Sequence, residues 1–265
     1  MDNRRRFLEA LAGQADFDPA LIDRPGTAVR ANEERTDTGI VVCYWVGEHA
    51  LIWGDPALLA DLGDLDGAPT AVDRDTARAR LAALGSPFVA SADMRVQPDP
   101  PAAPGPIPDG YRQRWLRSAD PADADEVRAF ADRNDPDDVE EAALDELDDF
   151  DEHAINVLEP TAGDEAGRIV AYASACDWDW DDGFTDIGVL VEPPHRGRGL
   201  GTLVVAHTAA ALHAEGRIPL YRHGHHNDGS RLIAIANGFE VATSLIFHAP
   251  PDPEDSDQAG SEGDG

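Results

Sequence analysis

The 265-residue sequence predicts an α/β fold with a mixed sheet, built behind a smaller α/β N-terminal domain. Three observations predict it. Runs with strand character alternate with segments of helical spacing. A proline-rich stretch, Pro98 to Pro108, divides the chain into two parts. A glycine-rich run, Arg196-Gly197-Arg198-Gly199-Leu200-Gly201, stands between a mostly apolar strand and a helix.

The elements follow in chain order. Arg4 to Leu11 reads as a short amphipathic helix, and the acids and amides after it exclude a secretory signal. Ile40 to Trp45 and Ala50 to Trp53 read as strands around a turn centred on Gly47. Asp55-Pro56 opens a short helix, with the acid as cap and proline in the first turn. Asp75 to Leu84 reads as a helix closed by Gly85, and Phe88 to Ala90 as a strand. The prolines of 98–108 fix φ and remove donors, so that stretch is expected as an extended linker. The expected organisation is an N-terminal domain over 1–97, the linker, a second domain over 109–249 and an acidic disordered tail over 250–265.

In the second domain Tyr111 to Arg117 alternates as a strand. Asp120-Pro121 starts a helix running to about Arg133. Val139, Ala143, Leu147 and Phe150 mark another helix by their spacing. Ala154 to Leu158 and Ile169 to Cys176 read as strands around a turn with Gly163 and Gly167, and Asp186 to Val191 as a central strand. After the glycine run come a helix from Leu203 to Glu215 stopped by Gly216, a strand at Ile218 to Tyr221, and a helix capped by Asn227 or Asp228 that ends at Asn237-Gly238. A strand over Val241 to Phe247 closes the order β-α-α-β-β-β-α-β-α-β.

Charge narrows the function classes. The net charge is −31, and every basic side chain is arginine. Such a charge opposes binding to nucleic-acid phosphates. It also implies self-repulsion, which concentrated salt screens over a Debye length of about 3 Å at 1 M. The composition resembles that of a salt-in halophile such as a haloarchaeon. No apolar run is long enough to span a membrane, so a cytoplasmic protein is expected. Cys43 and Cys176 lie far apart in apolar runs and are expected as buried free thiols.

The glycine run suits an anion. Helix N-termini present unbonded N–H groups and the positive end of a dipole, and glycines let the backbone approach a phosphate. A P-loop is excluded because no Gly-Lys-Ser/Thr follows. A dinucleotide fingerprint needs glycine at its sixth place, where Thr202 stands. With Arg196, Gly199 and Gly201 after Val189-Leu190-Val191-Glu192-Pro193, and with Asn227, Ser230, Gly238 and Phe239 following at the proper separation, residues 111–248 resemble the GNAT superfamily of N-acetyltransferases.

That resemblance implies a mostly antiparallel sheet flanked by helices, acetyl-CoA as co-substrate and a primary amine as acceptor, supplied by a small molecule or a protein. Gly197 to Gly201, with Thr202, would hold the coenzyme pyrophosphate, beside Arg196 and Arg198. The strand edge at Val189, Leu190 and Val191 would pair with the pantetheine arm, and an N–H near Val189 would polarise the thioester carbonyl. Asn227 would bond to the same arm. The N-terminal domain would add to the acceptor site or to an intersubunit contact of a homodimer.

The proton-transfer residues depart from the family. Its tyrosine acid, seven residues after the motif asparagine, is Ala234, and its glutamate base, five before, is Arg222. Asp186 is therefore the leading base candidate, with Tyr221 and His223 as further catalytic candidates on the strand face opposite Arg222. Arg222 would hold an acidic acceptor or the coenzyme's phosphate. His223, His225 and His226 lack further ligands at metal-site spacing and are expected as loop histidines, with no metal. Asp177 to Asp182, with its two tryptophans, is expected as an acidic hairpin loop; its other reading is attraction of a cationic amine. The alternative to an enzyme is an acyl-CoA-binding module without turnover.

Overall fold

A computed structural model describes residues 2–15, 17–23, 26–46, 49–61, 79, 88–99, 101, 103–116, 120–142, 144, 154–178 and 181–249. The helix expected over Asp75–Leu84, the Gly47 turn, the C-terminal half of the helix through Phe150 and the tail from 250 lie outside these residues, apart from residue 79. The chain forms two compact units that interleave in sequence. One comprises Met1–Phe7 and Met94–Val241, the other Leu8–Asp93 and Ala242–Gly265. The expected division at 98–108 is linear, whereas the first turn of the N-terminal helix joins the larger unit and the last strand joins the smaller one.

The smaller unit carries most of helix α1 (Asn3–Gln14), strands β1 (Gly26–Ala31), β2 (Val41–Val46) and β3 (His49–Gly54), and helix α2 (Pro56–Asp61). β2 and β3 pair antiparallel, and β1 adds parallel to β3. The last strand, β10 (Glu240–Ala249), pairs antiparallel with β2. Val41, Cys43, Ile52 and Ile246 bury the apolar face of this sheet under Leu59 of α2. Asp55 caps α2 as expected, accepting from the Ala57 N–H at 2.9 Å. Burial pushes the Cys43 thiol up to about 12, so it packs as an apolar group. Cys176, expected to be buried, is only half-buried.

The larger unit is an antiparallel array ended by one parallel pair. β5 (Tyr111–Leu116), β6 (Ala154–Pro160), β7 (Ala171–Trp178) and β8 (Asp181–Val191) are successive antiparallel neighbours. β9 (Ile218–Gly224) then runs parallel to β8, because helix α5 (Leu200–Ala214) forms the crossover between them. Strand β4 (Phe88–Val96) passes from the smaller unit into this one at Met94 and lies beyond β9. The element order matches the expectation. β8, however, starts at Asp181 and not at Asp186. The acidic tryptophan segment is therefore mostly strand, in place of the expected hairpin loop.

Side-chain alternation gives this sheet two apolar faces. On one, Ala171 and Ala173 of β7 and Ile187 of β8 pack against Leu200, Val204, Val205 and Leu212 of α5. The alanines let the helix come close. On the other, Ile155, Val157, Tyr172 and Leu190 pack against Val127 and Phe130 of helix α3 (Pro121–Ala131). Helix α4 (Pro136–Glu141) adds Val139 to that face. Helix α6 (Asp228–Ala236) follows β9. Among the described residues no helix is long and apolar enough to cross a membrane.

Candidate active site

The chain opens a fork between its two parallel strands. Phe184, Thr185 and Asp186 of β8 align with Ile218, Pro219 and Leu220 of β9. Beyond Asp186 no pairing joins these strands among the described residues, although β8 continues to Val191 and β9 to Gly224. Glu192 donates its N–H to Val170 on the β7 side at 3.0 Å. By alternation Val189 and Val191 turn their N–H and C=O groups toward the open side. Their side chains pack on the α5 face, whereas Leu190 packs on the α3 face.

The glycine run sits at the end of β8. Gly197 and Gly199 have φ of 73° and 77°, the left-handed region that glycine enters at little cost. A Cβ placed at either would meet nothing within 4 Å, so the space above the loop is open. Gly199 is the N-cap of α5 and offers no side chain to it. Leu203 makes the first helical bond, to the Gly199 carbonyl at 3.0 Å, so the N–H groups of Leu200, Gly201 and Thr202 precede the ladder. Gly201 has a packing role, since a Cβ there would lie 2.8 Å from Ile233 Cδ1 and 3.2 Å from Val191 Cγ2.

The two arginines of the run are anchors. Arg196 donates from Nε to the Val191 carbonyl at 2.8 Å and from its other end to Asp138 Oδ2 at 2.7 Å. It ties the loop to β8 and α4, and it occupies one acceptor of the strand edge expected to pair with pantetheine. Arg198 donates to the Pro194 carbonyl at 3.0 Å and to Tyr111 Oη at 3.3 Å.

Beneath the loop lies an ionic group that sequence reasoning missed. Glu192 is buried and accepts from Arg133 Nε at 2.7 Å and from Arg168 at 3.0 Å. Arg168 also bonds to Glu165, which pairs with His195 Nε2 at 3.1 Å. Arg133 donates further to the Ile169 carbonyl at 3.0 Å. Both Glu192 oxygens therefore face guanidinium groups. Although Glu165, Glu192 and His195 place ligand atoms within 4.8 Å of one another, Arg168 and Arg133 already supply the countercharge that a dication would bring. The group fixes the turn from β8 into the glycine run. The only signal in the sequence is an acid placed before Pro193-Pro194.

The catalytic candidates fall on two faces. Asp186 lies at the last paired position of the fork, not at a strand start. Its carboxylate is 15% exposed, Oδ2 lies 3.6 Å from Arg222 Nε, and Oδ1 is buried without a hydrogen-bond partner among the described residues. Tyr221 is buried on the α5 face against Phe239, and its hydroxyl shares a 2.8 Å hydrogen bond with Ser230 Oγ. His223 is also buried, and its Nε2 accepts from Arg95 Nε at 2.9 Å. Since a guanidinium only donates, the His223 ring is neutral and its Nδ1 donates to the Gly224 carbonyl at 3.1 Å. The structure thus brings Asp186 and Arg222 together and directs the polar atoms of Tyr221 and His223 elsewhere. His223 is a buried strand residue and not the expected loop histidine.

Asn227 caps α6, its Oδ1 accepting from the Ser230 N–H at 2.9 Å, so its oxygen serves the helix. Asp177 pairs with Arg217 and accepts from Thr185 Oγ1 at 3.2 Å, so it is not a lone acid awaiting a cation. Ala234 is fully buried.

With this geometry in view, the comparisons with known proteins are informative. Residues 123–231, less than half of the chain, match the model of the Acetyltransferase (GNAT) family. They hold the fork, the glycine run and the cap of α6. No curated protein matches the chain in sequence. Among solved structures, a GNAT-family protein from Novosphingobium aromaticivorans is similar at 18% identity, covering 62% of this chain and 66% of its own, with a TM-score of 0.44. An acetyltransferase of the GNAT family from Colwellia psychrerythraea is 13% identical over 63% of this chain and 60% of its own, at 0.44. A Salmonella typhimurium protein, solved with acetyl-CoA, is 23% identical over 55% of this chain and 99% of its own, at 0.38. The chain therefore covers less than two thirds of the first two relatives.

Proposed function

We propose that the protein is an N-acetyltransferase that moves the acetyl group of acetyl-CoA to a primary amine by direct attack. The observation that carries this reading is the fork between β8 and β9, which opens beside a left-handed glycine loop at the N-terminus of a long helix. A phosphate-bearing thioester with an extended amide arm fits it. The N–H groups of Gly197 to Thr202 would hold the pyrophosphate, at a helix end with no side-chain cap. The arm would lie along the open edge of β8 as an added strand at Val189 and Val191. Arg196 would keep its bonds to Val191 and Asp138 and hold the loop in place, and Arg198 would do the same from Pro194.

The chemistry then needs a neutral amine, because an alkylammonium with pKa near 10 has no lone pair to offer at neutral pH. The ammonium loses one proton, and Asp186, at the end of the fork, is the acceptor we assign for it. The amine nitrogen forms a bond to the thioester carbon and the carbon–sulfur bond breaks. The departing thiolate takes up a proton, while the nitrogen gives up its second proton to water. Charge on the carbonyl oxygen is met by a backbone N–H near Val189. Tyr221 and His223 have no part in this scheme, since Ser230 and Arg95 hold their polar atoms on the other face.

The test is release of coenzyme thiol from acetyl-CoA across an amine panel in molar KCl. Turnover with at least one amine is expected. Tight coenzyme binding with no turnover on any amine would instead establish a binding module, the reading that Ala234 and Arg222 motivate. Gly199→Trp should abolish coenzyme binding, as it fills the loop and disfavours φ of 77°. A variant that still binds coenzyme normally removes both readings.

A further inference from the structure

Resting on that reading, we propose that the acceptor is a small zwitterion, an amine carrying its own carboxylate, held between Asp186 and Arg222. Both groups project from the same face at the end of the fork, Asp186 from β8 and Arg222 from β9. They are close enough to feel each other but too far apart to bond, since the 3.6 Å from Arg222 Nε to Asp186 Oδ2 exceeds hydrogen-bond length. Each is left short of partners in a complementary way. Asp186 Oδ1 is buried and lacks a donor among the described residues, a costly state that an ammonium hydrogen would relieve. Arg222 keeps 57% of its side chain exposed. Its planar fork of donors suits a carboxylate in two-point contact.

Charge selects among acceptors. The pair is neutral as a whole, so a zwitterion laid against it meets an opposite charge at each end. A diamine of similar length would bring a cation to Arg222, and a simple anion would meet Asp186. Spacing narrows the class further. The two protein charges are in near contact, so the ammonium and carboxylate that match them must be separated by one or two carbons, as in α- and β-amino acids. The face is walled at its next inward-facing position, Gly188, where the Ala142 carbonyl oxygen would lie 2.4 Å from an added Cβ. That wall favours a compact acceptor over a long polyamine. Arg222 is here a specificity residue, and the transfer step is unchanged.

The experiment uses the full chain in molar KCl and follows thiol release from acetyl-CoA with glycine, β-alanine and alanine, their amides, and ethylamine. The free amino acids should exceed their amides in kcat/KM by about tenfold or more, the worth of one charged hydrogen bond. This is expected even though an amide's amine is the easier to deprotonate. Arg222→Gln should erase the acid-over-amide ratio while leaving the amide rates and coenzyme affinity near their original values, and Arg222→Lys should restore part of it. Equal rates on acids and amides, or a ratio that survives Arg222→Gln, overturn the proposal. If coenzyme binds and ethylamine turns over without any preference for the acids, only this inference fails. If coenzyme does not bind or no amine reacts, the acetyltransferase reading fails with it. Circular dichroism of the exposed-site variants separates a lost preference from a lost fold.

Discussion

A Cβ added to Gly188 would sit 2.4 Å from the Ala142 carbonyl oxygen and 2.7 Å from Ser174 Oγ. The first of these is backbone, and it cannot turn aside as a side chain can. At Gly201 the close neighbours are the ends of Ile233 and Val191, which can. The two glycines look alike in the sequence but differ in what they spare. Gly188→Ala is therefore expected to destabilise the larger unit by about 1–3 kcal/mol, the usual range for overpacking a tight site. Gly201→Ala should cost less, because Ile233 is only part-buried and has room to shift. Urea unfolding of the two variants under one salt condition compares them directly. Equal stability losses would mean that Ala142 yields as easily as a side chain.

At the scale of elements, Asn227 serves α6 before it can serve a ligand. Its Oδ1 bonds to the Ser230 N–H at 2.9 Å, and Ser230 in turn bonds to Tyr221. Asn227→Ala should lower stability by about 1 kcal/mol through loss of the cap. Asn227→Asp preserves the cap, since a carboxylate accepts equally well. If it also preserves coenzyme affinity, the residue acts through the helix; if affinity falls while stability holds, its amide group touches the coenzyme. In the smaller unit, Asp55 joins α2 to the turn before β2. Hydrogen bonds from the Gly39 N–H first, and then from Ala57, hold its carboxyl below the usual carboxylate range. A lowered folded-state value means that the unfolded chain takes up the proton first. The stabilisation is thus full above the ordinary carboxylate pKa of about 4 and fades as pH falls through the folded value. Asp55→Asn should be less stable than the parent at pH 7, with the gap closing toward pH 2 in urea titrations. A constant gap would rule out charge as its source.

Elements with a strong period or a chemical stop were legible in advance. The glycine run and its helix, the Asn227 cap and the Asp120 and Asp55 starts all announce themselves through residue type. The early start of β8 did not, because Asp181 and Asp182 read as loop in a chain so rich in acids. The ladder that makes them strand comes from β7, not from local preference. The Glu192 group was hidden for a related reason. Arg133 and Arg168 reach it from distant positions, and one more acid among many gives no signal. The Asp186–Arg222 meeting depends on the parallel register of β8 and β9, which no local pattern encodes.

For the whole molecule the dominant physical fact is a net charge of −31 with arginine as the only basic residue type. Some of that charge is neutralised locally. Glu159, fully buried, pairs with Arg112 and Arg114, and Arg114 reaches Asp123 and Glu126 as well. Most acids lack such partners simply by number, since 52 acidic residues face 21 basic ones. Their mutual repulsion acts over many ångströms in dilute buffer and is cut to about 3 Å in 1 M salt, whereas the short internal pairs lie within that distance. Added salt should therefore relieve repulsion more than it weakens attraction. The midpoint of thermal unfolding is expected to rise steadily as KCl increases from 0.1 M to 2 M. Sodium sulfate also strengthens apolar burial, so it is the poorer test; KCl isolates screening more cleanly. A midpoint that stays flat or falls over that range would show that the acidic surface is tolerated without salt, and that its charge serves something other than life in concentrated electrolyte.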